Sequence, residues 1–160
     1  MQLLLGAAEA SSLVTDVYEE HGTMVCTLAF TELSGRVALD DGDGDVRGLR
    51  LEGQLPAGPG RVTLTPERGL AGAVAALREI ELGDALIDDA WVVRGDGPAL
   101  LLALAPPLRA LAPHAPTVTV DGEVLRVSFG APITRAELGT RLHEAFALWE
   151  RATSYRQGAA

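Results

Sequence analysis

The sequence of 160 residues contains no lysine and no asparagine, and all 13 of its basic residues are arginine. With 22 acidic residues, the net charge at pH 7 is -9. Nucleic-acid binding draws its affinity from clustered positive charge, and these arginines are scattered along the chain. The composition therefore excludes nucleic acid and an anionic membrane surface as expected partners, and it is typical of a GC-rich bacterial genome.

Cysteine and long apolar runs are also scarce. Cys26 is the one thiol, so no intramolecular disulfide can form, whereas small secreted domains usually rely on several. No stretch approaches the ~20 consecutive apolar residues of a membrane-spanning helix. The apolar start at residues 1–5 has no basic flank, and Glu9 interrupts it. We therefore expect a cytoplasmic protein that does not bind or cross a membrane.

The familiar catalytic signatures are missing as well. The sequence has no glycine-rich dinucleotide or phosphate loop and no Gly-x-Ser-x-Gly elbow. His21, His114 and His143 each lack a partner at a spacing that would orient a base or bind a metal. We therefore predict no catalytic residue and no cofactor, and the sequence favours a protein that is not an enzyme.

What is present is enough apolar sequence for one domain over residues 1–160, with a full hydrophobic core. Alternating apolar and polar residues make 11–66 strand-rich, 67–129 has a mixed pattern, and a helix is expected over about 134–155. The short links between successive predicted strands indicate hairpins rather than crossover connections. The predicted class is α+β, with a mostly antiparallel sheet covered by two or three helices, the last of them long.

Local signals refine this prediction. We expect strands over 13–18 and 24–30, a helix over 70–79, a strand over 86–93 and a helix after Pro98 that Pro106-Pro107 breaks or kinks. Asp121-Gly122 between two alternating runs predicts a type I′ hairpin with two positive φ angles. Thr134 followed by Glu137 predicts a capping box at the start of the last helix.

Three carboxylates and a fourth farther along match part of a calcium-loop spacing: Asp41, Asp43, Asp45 and Glu52. The sixth position of that loop is Val46, where the motif needs glycine, and both flanks read as strands. A solvated hairpin loop is the alternative interpretation. Calcium binding therefore stands as one hypothesis, with weak binding of a divalent ion as another.

A protein partner or a homo-oligomer is the leading functional hypothesis, because the last helix places Leu148 among charged positions that include Arg141, Glu144 and Arg151. The leucine-rich run over 100–104 is also denser than one helix face requires. Either group is buried inside the domain or forms an apolar patch that a partner covers.

The competing hypothesis is a small-ligand-binding protein or an enzyme whose cleft is assembled from distant residues. Asp88 or Asp89 with an arginine and a histidine would form such a dispersed site. Adjacent residues of a strand point to opposite faces, so the two aspartates cannot act as a pair if 86–93 is a strand.

Four short segments carry a resemblance: Gly83-Asp84, Ile87-Asp88, Trp91-Val92-Val93 and Arg94-Gly95-Asp96. With the leucine-rich segment, the Asp-Gly hairpin and the C-terminal helix that follow, residues 80–150 resemble an uncharacterised bacterial domain family, whose members often stand beside membrane-spanning helices. The shared residues are those of turns and core. The resemblance therefore implies a common fold and no activity.

Overall fold

The computed structural model describes residues 14–30, 32–41, 45–67, 80–130 and 132–158. In these ranges the strands are β1 (Val14–Glu20), β2 (Thr23–Phe30), β3 (Leu33–Asp41), β4 (Val46–Gln54), β5 (Val62–Pro66), β6 (Trp91–Gly95), β7 (Thr117–Asp121) and β8 (Val124–Phe129). The helices are α1 (Ala85–Asp88), α2 (Pro98–Leu111) and α3 (Arg135–Gly158). The helix predicted over 70–79 lies outside the described residues.

The eight strands form one sheet in the order β1-β2-β3-β4-β8-β7-β5-β6, and every neighbouring pair is antiparallel. Strands β1 to β4 follow one another as a meander, and the β7-β8 hairpin lies between β4 and β5. The long helix α3 packs against α2 and against β4. The α+β class with a mostly antiparallel sheet and a long C-terminal helix is confirmed.

One face of the sheet is apolar, as the alternation predicts. In β4, Leu49 and Leu51 are buried while Arg50 is exposed, and Val118, Val120, Leu125, Val127 and Phe129 of the β7-β8 hairpin are all buried. Helix α3 adds its own buried stripe: Leu138, Leu142, Ala145, Trp149 and Ala152. The core lies between this sheet face and the helix pair α2 and α3.

The capping box at the start of α3 is present. The amide of Glu137 donates to Thr134 Oγ1 at 3.3 Å, and the amide of Thr134 donates to Glu137 Oε2 at 3.3 Å. The Thr134 hydroxyl also donates to the same carboxylate oxygen at 2.6 Å, and this bond lowers the pKa of Glu137. These bonds explain why the helix begins at Arg135.

The strand predicted over 86–93 is wrong in its first half, because residues 85–88 form the helical turn α1. Asp84 caps that turn: its carboxylate accepts the amide of Leu86 at 3.2 Å, and its carbonyl accepts the amides of Ile87 and Asp88. A capping aspartate outweighs the β preference of the apolar residues that follow. The strand β6 begins only at Trp91.

Of the predicted break or kink at Pro106-Pro107, the break is wrong, since α2 continues through both prolines to Leu111. Pro107 has no amide hydrogen to donate to the carbonyl of Ala103, four residues earlier. Arg151 of α3 replaces the missing donor, with its Nε at 2.9 Å from that carbonyl oxygen. Helix α3 thus satisfies a carbonyl that the proline leaves unpaired, which favours the unbroken helix.

The β7-β8 turn differs from the predicted type. Asp121 still pairs with Val124 in the sheet, so Gly122 and Glu123 are the central residues, and of these two only Gly122 has a positive φ, +58°. A single positive φ at the first central position fits a type II′ turn. The two positive angles of a type I′ turn occur instead at His21 and Gly22, between β1 and β2.

The indole of Trp149 lies against two glycines of the sheet. A Cβ at Gly53 would stand 2.4 Å from the ring, and a Cβ at Gly35 would stand 2.7 Å from it. These glycines face each other across β3 and β4. The Trp149 Nε1–H donates to the carbonyl of Gln54 at 2.7 Å. Helix α3 is therefore fixed to the sheet where the two glycines, which lack a Cβ, leave space for the indole.

We predict that Gly53→Ala destabilises the fold by about 3 kcal/mol, because the indole must move to make room. Gly48→Ala is the matched control in the same strand, since its Cβ would meet its nearest neighbour at an ordinary 3.6 Å. Chemical denaturation of both variants measures the difference. Equal stabilities for the two variants would contradict the packing.

We also predict that Arg151→Ala destabilises the protein by about 1 kcal/mol, the usual net value of such a hydrogen bond. In a Pro107→Ala background the restored amide bonds to Ala103, so the same change should have almost no effect. A double-mutant cycle by urea denaturation measures this coupling. The same loss in both backgrounds would show that Arg151 does not replace the proline's missing donor.

Candidate functional site

Two of the four residues in the calcium hypothesis have described side chains. Asp45 is exposed, and Glu52 lies on β4, where its carboxylate accepts Arg126 Nε at 2.8 Å. The Asp41 side chain and residue Asp43 lie outside the described part. Among the residues that the structure does describe, no three His, Cys, Asp or Glu side chains are grouped as metal ligands.

The four residues of the predicted partner face make contacts inside the domain. Leu148 is fully buried, and Arg141 is largely buried, with its Nη1 2.6 Å from Glu144 Oε2. Arg151 bonds the Ala103 carbonyl of α2. Of the two possibilities for Leu148, the structure shows the buried one. The run over 100–104 is divided: Leu100, Leu101 and Leu104 are buried, while Leu102 is exposed.

Arg156, near the end of α3, was not singled out by the sequence. It is 1% exposed, and its guanidinium donates to three carbonyls, those of Pro56 and Gly60 at 3.1 Å and of Gly122 at 2.5 Å. Burial lowers its pKa. The residue holds the 56–60 loop and the β7-β8 turn together. Its position one turn after Ala152 on the buried stripe was the available signal.

Cys26 and two of the three histidines show no arrangement for chemistry. Burial raises the pKa of the Cys26 thiol, which keeps it protonated and unreactive. His21 lies in the turn between β1 and β2, and His143 is exposed on α3. His114, by contrast, lies at a groove.

This groove, which we call the α1–α2 groove, has a volume of about 610 Å³ and is open to solvent. It lies between α1 and the end of α2. Its lining combines apolar and ionisable side chains, among them Pro66, Leu86, Asp89, Arg109, Pro113 and His114. The volume falls within the range of roughly 300–1,000 Å³ of ligand pockets. Of the two aspartates in the dispersed-site hypothesis, Asp89 lines the groove.

Asp88 has a different role. Its Oδ1 accepts the amide of Leu82 and its Oδ2 accepts the amide of Asp84, both at 3.0 Å. The carboxylate therefore organises the backbone that leads into α1. Asp84 in turn accepts Arg109 Nε at 2.6 Å, and this ion pair joins α1 to α2.

Asp89 and His114 differ from these residues, because neither side chain has a hydrogen bond or an ion pair with any residue in the described ranges. Beside His114, Ala115 has a φ of +36°, which is strained for a residue with a Cβ that precedes proline. The indole of Trp91 holds this segment by donating to the Pro116 carbonyl at 2.7 Å. The groove wall is thus anchored to β6.

A comparison of the chain with protein-family models, with curated proteins and with solved structures found no match. The family resemblance of residues 80–150 therefore remains an expectation from sequence. None of the helices in the described ranges is long and apolar enough to span a membrane.

We predict that Asp88→Asn destabilises the protein by about 2 kcal/mol, since the amide can accept only through its one oxygen and leaves a partly buried backbone donor unpaired. Asp89→Asn should change stability by less than about 0.5 kcal/mol, because its carboxylate bonds no described group. Urea denaturation at neutral pH compares the two neighbours. Equal losses would contradict the separate roles.

Proposed function

We propose that this chain is a non-catalytic module that binds another protein or a second copy of itself through the side formed by α1 and α2. One observation carries the proposal. Leu86 and Leu102 are 60% and 62% exposed, whereas nearly all other large aliphatic side chains of known burial lie in the core. Two large leucines left in water on the same side of a domain are typical of a contact surface.

The two leucines belong to one continuous surface. Leu86 lines the α1–α2 groove together with Arg109 and Pro113. Leu102 precedes Arg109 by seven residues, which is two helical turns, so it lies on the same face of α2 about 10 Å away. Exposed Pro106 stands between them. We call these five residues the α1–α2 surface.

The polar residues around this surface support a binding role rather than chemistry. Asp84, Asp88 and Arg109 hold α1, α2 and the preceding loop in place. A rigid surface of this kind loses little conformational entropy when a partner binds. The net charge of -9 favours a partner with basic groups.

We expect the double variant Leu86→Ser/Leu102→Ser to lose the association of the wild-type chain, because it removes the apolar centre of the contact. Light scattering across micromolar to millimolar concentrations measures self-association. A pull-down with purified chain as bait measures binding to other proteins. Tyr18→Ser is the control, since Tyr18 is an exposed apolar residue, 40%, on β1 at the far end of the sheet.

The proposal requires that Tyr18→Ser behave like the wild type in whichever association is observed. Two results together would contradict it. The wild-type chain would be monomeric at every concentration, and in the pull-down at physiological salt it would bind no protein that the double variant does not also bind. Circular dichroism confirms that each variant is folded, since both leucines are exposed and their replacement leaves the core intact.

A second candidate is a small-ligand-binding protein or an enzyme with a dispersed site. It is favoured by one specific observation, that Asp89, Arg109 and His114 line the same groove. An acid, a base and a cation in one cleft can bind and polarise a small polar substrate. In this case a free small molecule occupies the groove, and replacing Leu102, which does not line it, leaves that binding unchanged.

A further inference from the structure

We infer that the α1–α2 groove receives a lysine side chain of a partner protein, with the ammonium group at Asp89 and His114. The inference rests on the proposed protein-binding function and names the chemistry of the partner. It starts from a contrast within the groove. Asp84, Asp88 and Arg109 are engaged in the fold, whereas Asp89 and His114 face the groove with no bond to a described residue.

The sign of the charge follows from the ion pairs. Among the described residues that line the groove, Arg109 is the one cation of fixed charge, and its Nε lies 2.6 Å from Asp84 Oδ2. The carboxylate of Asp89 is then the charge in excess. A cationic group is therefore attracted to this position, and an anionic group would meet a carboxylate that no described residue compensates.

The residue types of the lining fit a lysine side chain. Lysine carries a compact ammonium with three donors at the end of a four-carbon stem. The carboxylate of Asp89 and an imidazole nitrogen of His114 provide acceptors for that head group. Leu86, Pro66 and Pro113 provide apolar contacts for the stem. Long basic side chains bury their stems along such surfaces while the charged end stays polar.

The absence of lysine from this chain decides where the ligand originates. No residue of a second copy can place a lysine side chain in the groove, because all 13 basic residues are arginine. The occupant must then come from a different protein. The acidic charge of the whole chain, -9, further favours approach of a basic segment.

The test uses three short peptides and the full chain. Ac-Ala-Lys-Ala-NH2 carries the lysine, a norleucine peptide keeps the aliphatic stem without the ammonium, and a glutamate peptide reverses the charge. NMR titration follows the amide signals of residues 85–90 and 112–115 and the imidazole of His114. We expect the lysine peptide to bind in the low-millimolar range and the other two about tenfold more weakly or not at all, as for loss of one charge-assisted hydrogen bond.

Asp89→Asn should weaken binding of the lysine peptide about tenfold, because the neutral amide no longer attracts the ammonium. Glu150→Gln makes the same change of charge at an exposed position on α3, away from the groove, and should leave binding unchanged. Equal weakening by both variants would mean that only the net charge matters, which overturns the assignment to this groove.

Other outcomes separate the two proposals. Equal binding of the norleucine peptide, preference for the glutamate peptide, or no signal change at 50 mM lysine peptide would each overturn the lysine assignment. The protein-contact proposal would survive those results if Leu86→Ser/Leu102→Ser still abolished association. If the lysine peptide binds but no association depends on Leu102, the lysine site in the groove is supported and the wider α1–α2 surface is rejected as a contact surface.

Discussion

The fit of Trp149 onto Gly35 and Gly53 determines how the helical layer meets the sheet. The indole approaches the backbone of β3 and β4 so closely that any side chain at either glycine would occupy the same space. Its Nε1–H bonds the carbonyl of Gln54, which fixes the rotation of α3 about its axis. Since α2 packs on α3, the position of α2 depends on the same contact. The α1–α2 groove is in turn bordered by the end of α2.

Several charged side chains form hydrogen bonds with backbone groups rather than ion pairs with one another. Arg156 bonds three loop carbonyls, Arg151 bonds a carbonyl that Pro107 leaves unpaired, and Asp88 bonds two amides. Buried or partly buried backbone groups need such partners, because an unpaired donor or acceptor away from water is costly. The charged residues thus join segments distant in sequence. This pattern explains why Asp89 and His114, which make no such bonds with the described residues, stand out.

The sequence predicts the elements with strong local signals and misses those decided by neighbours. The capping box at Thr134 and the alternation of β4 depend on residues a few positions apart, so they can be recognised in the chain itself. Past Pro106-Pro107, α2 is supported by Arg151, more than 40 residues later, and no local pattern reveals this contact. The groove is a harder case. The sequence indicates Asp89, an arginine and a histidine as candidates. It predicts a strand at 86–93, however, and Asp89 lines the groove in a structure where residues 85–88 form the helical turn α1.

The placement of β8 beside β4 affects how the chain reaches its final form. Strands β1 to β4 are contiguous and pair through short connections, so this meander can assemble from residues 14–54. The outer side of β4 is then an unpaired edge with free amides and carbonyls, and β8, which covers it, ends at Phe129. During synthesis on the ribosome that edge stays exposed until the hairpin emerges, and exposed edges pair readily with other chains. The sheet order thus leaves the β4 edge open to pairing with other chains from the synthesis of residue 54 until that of residue 129.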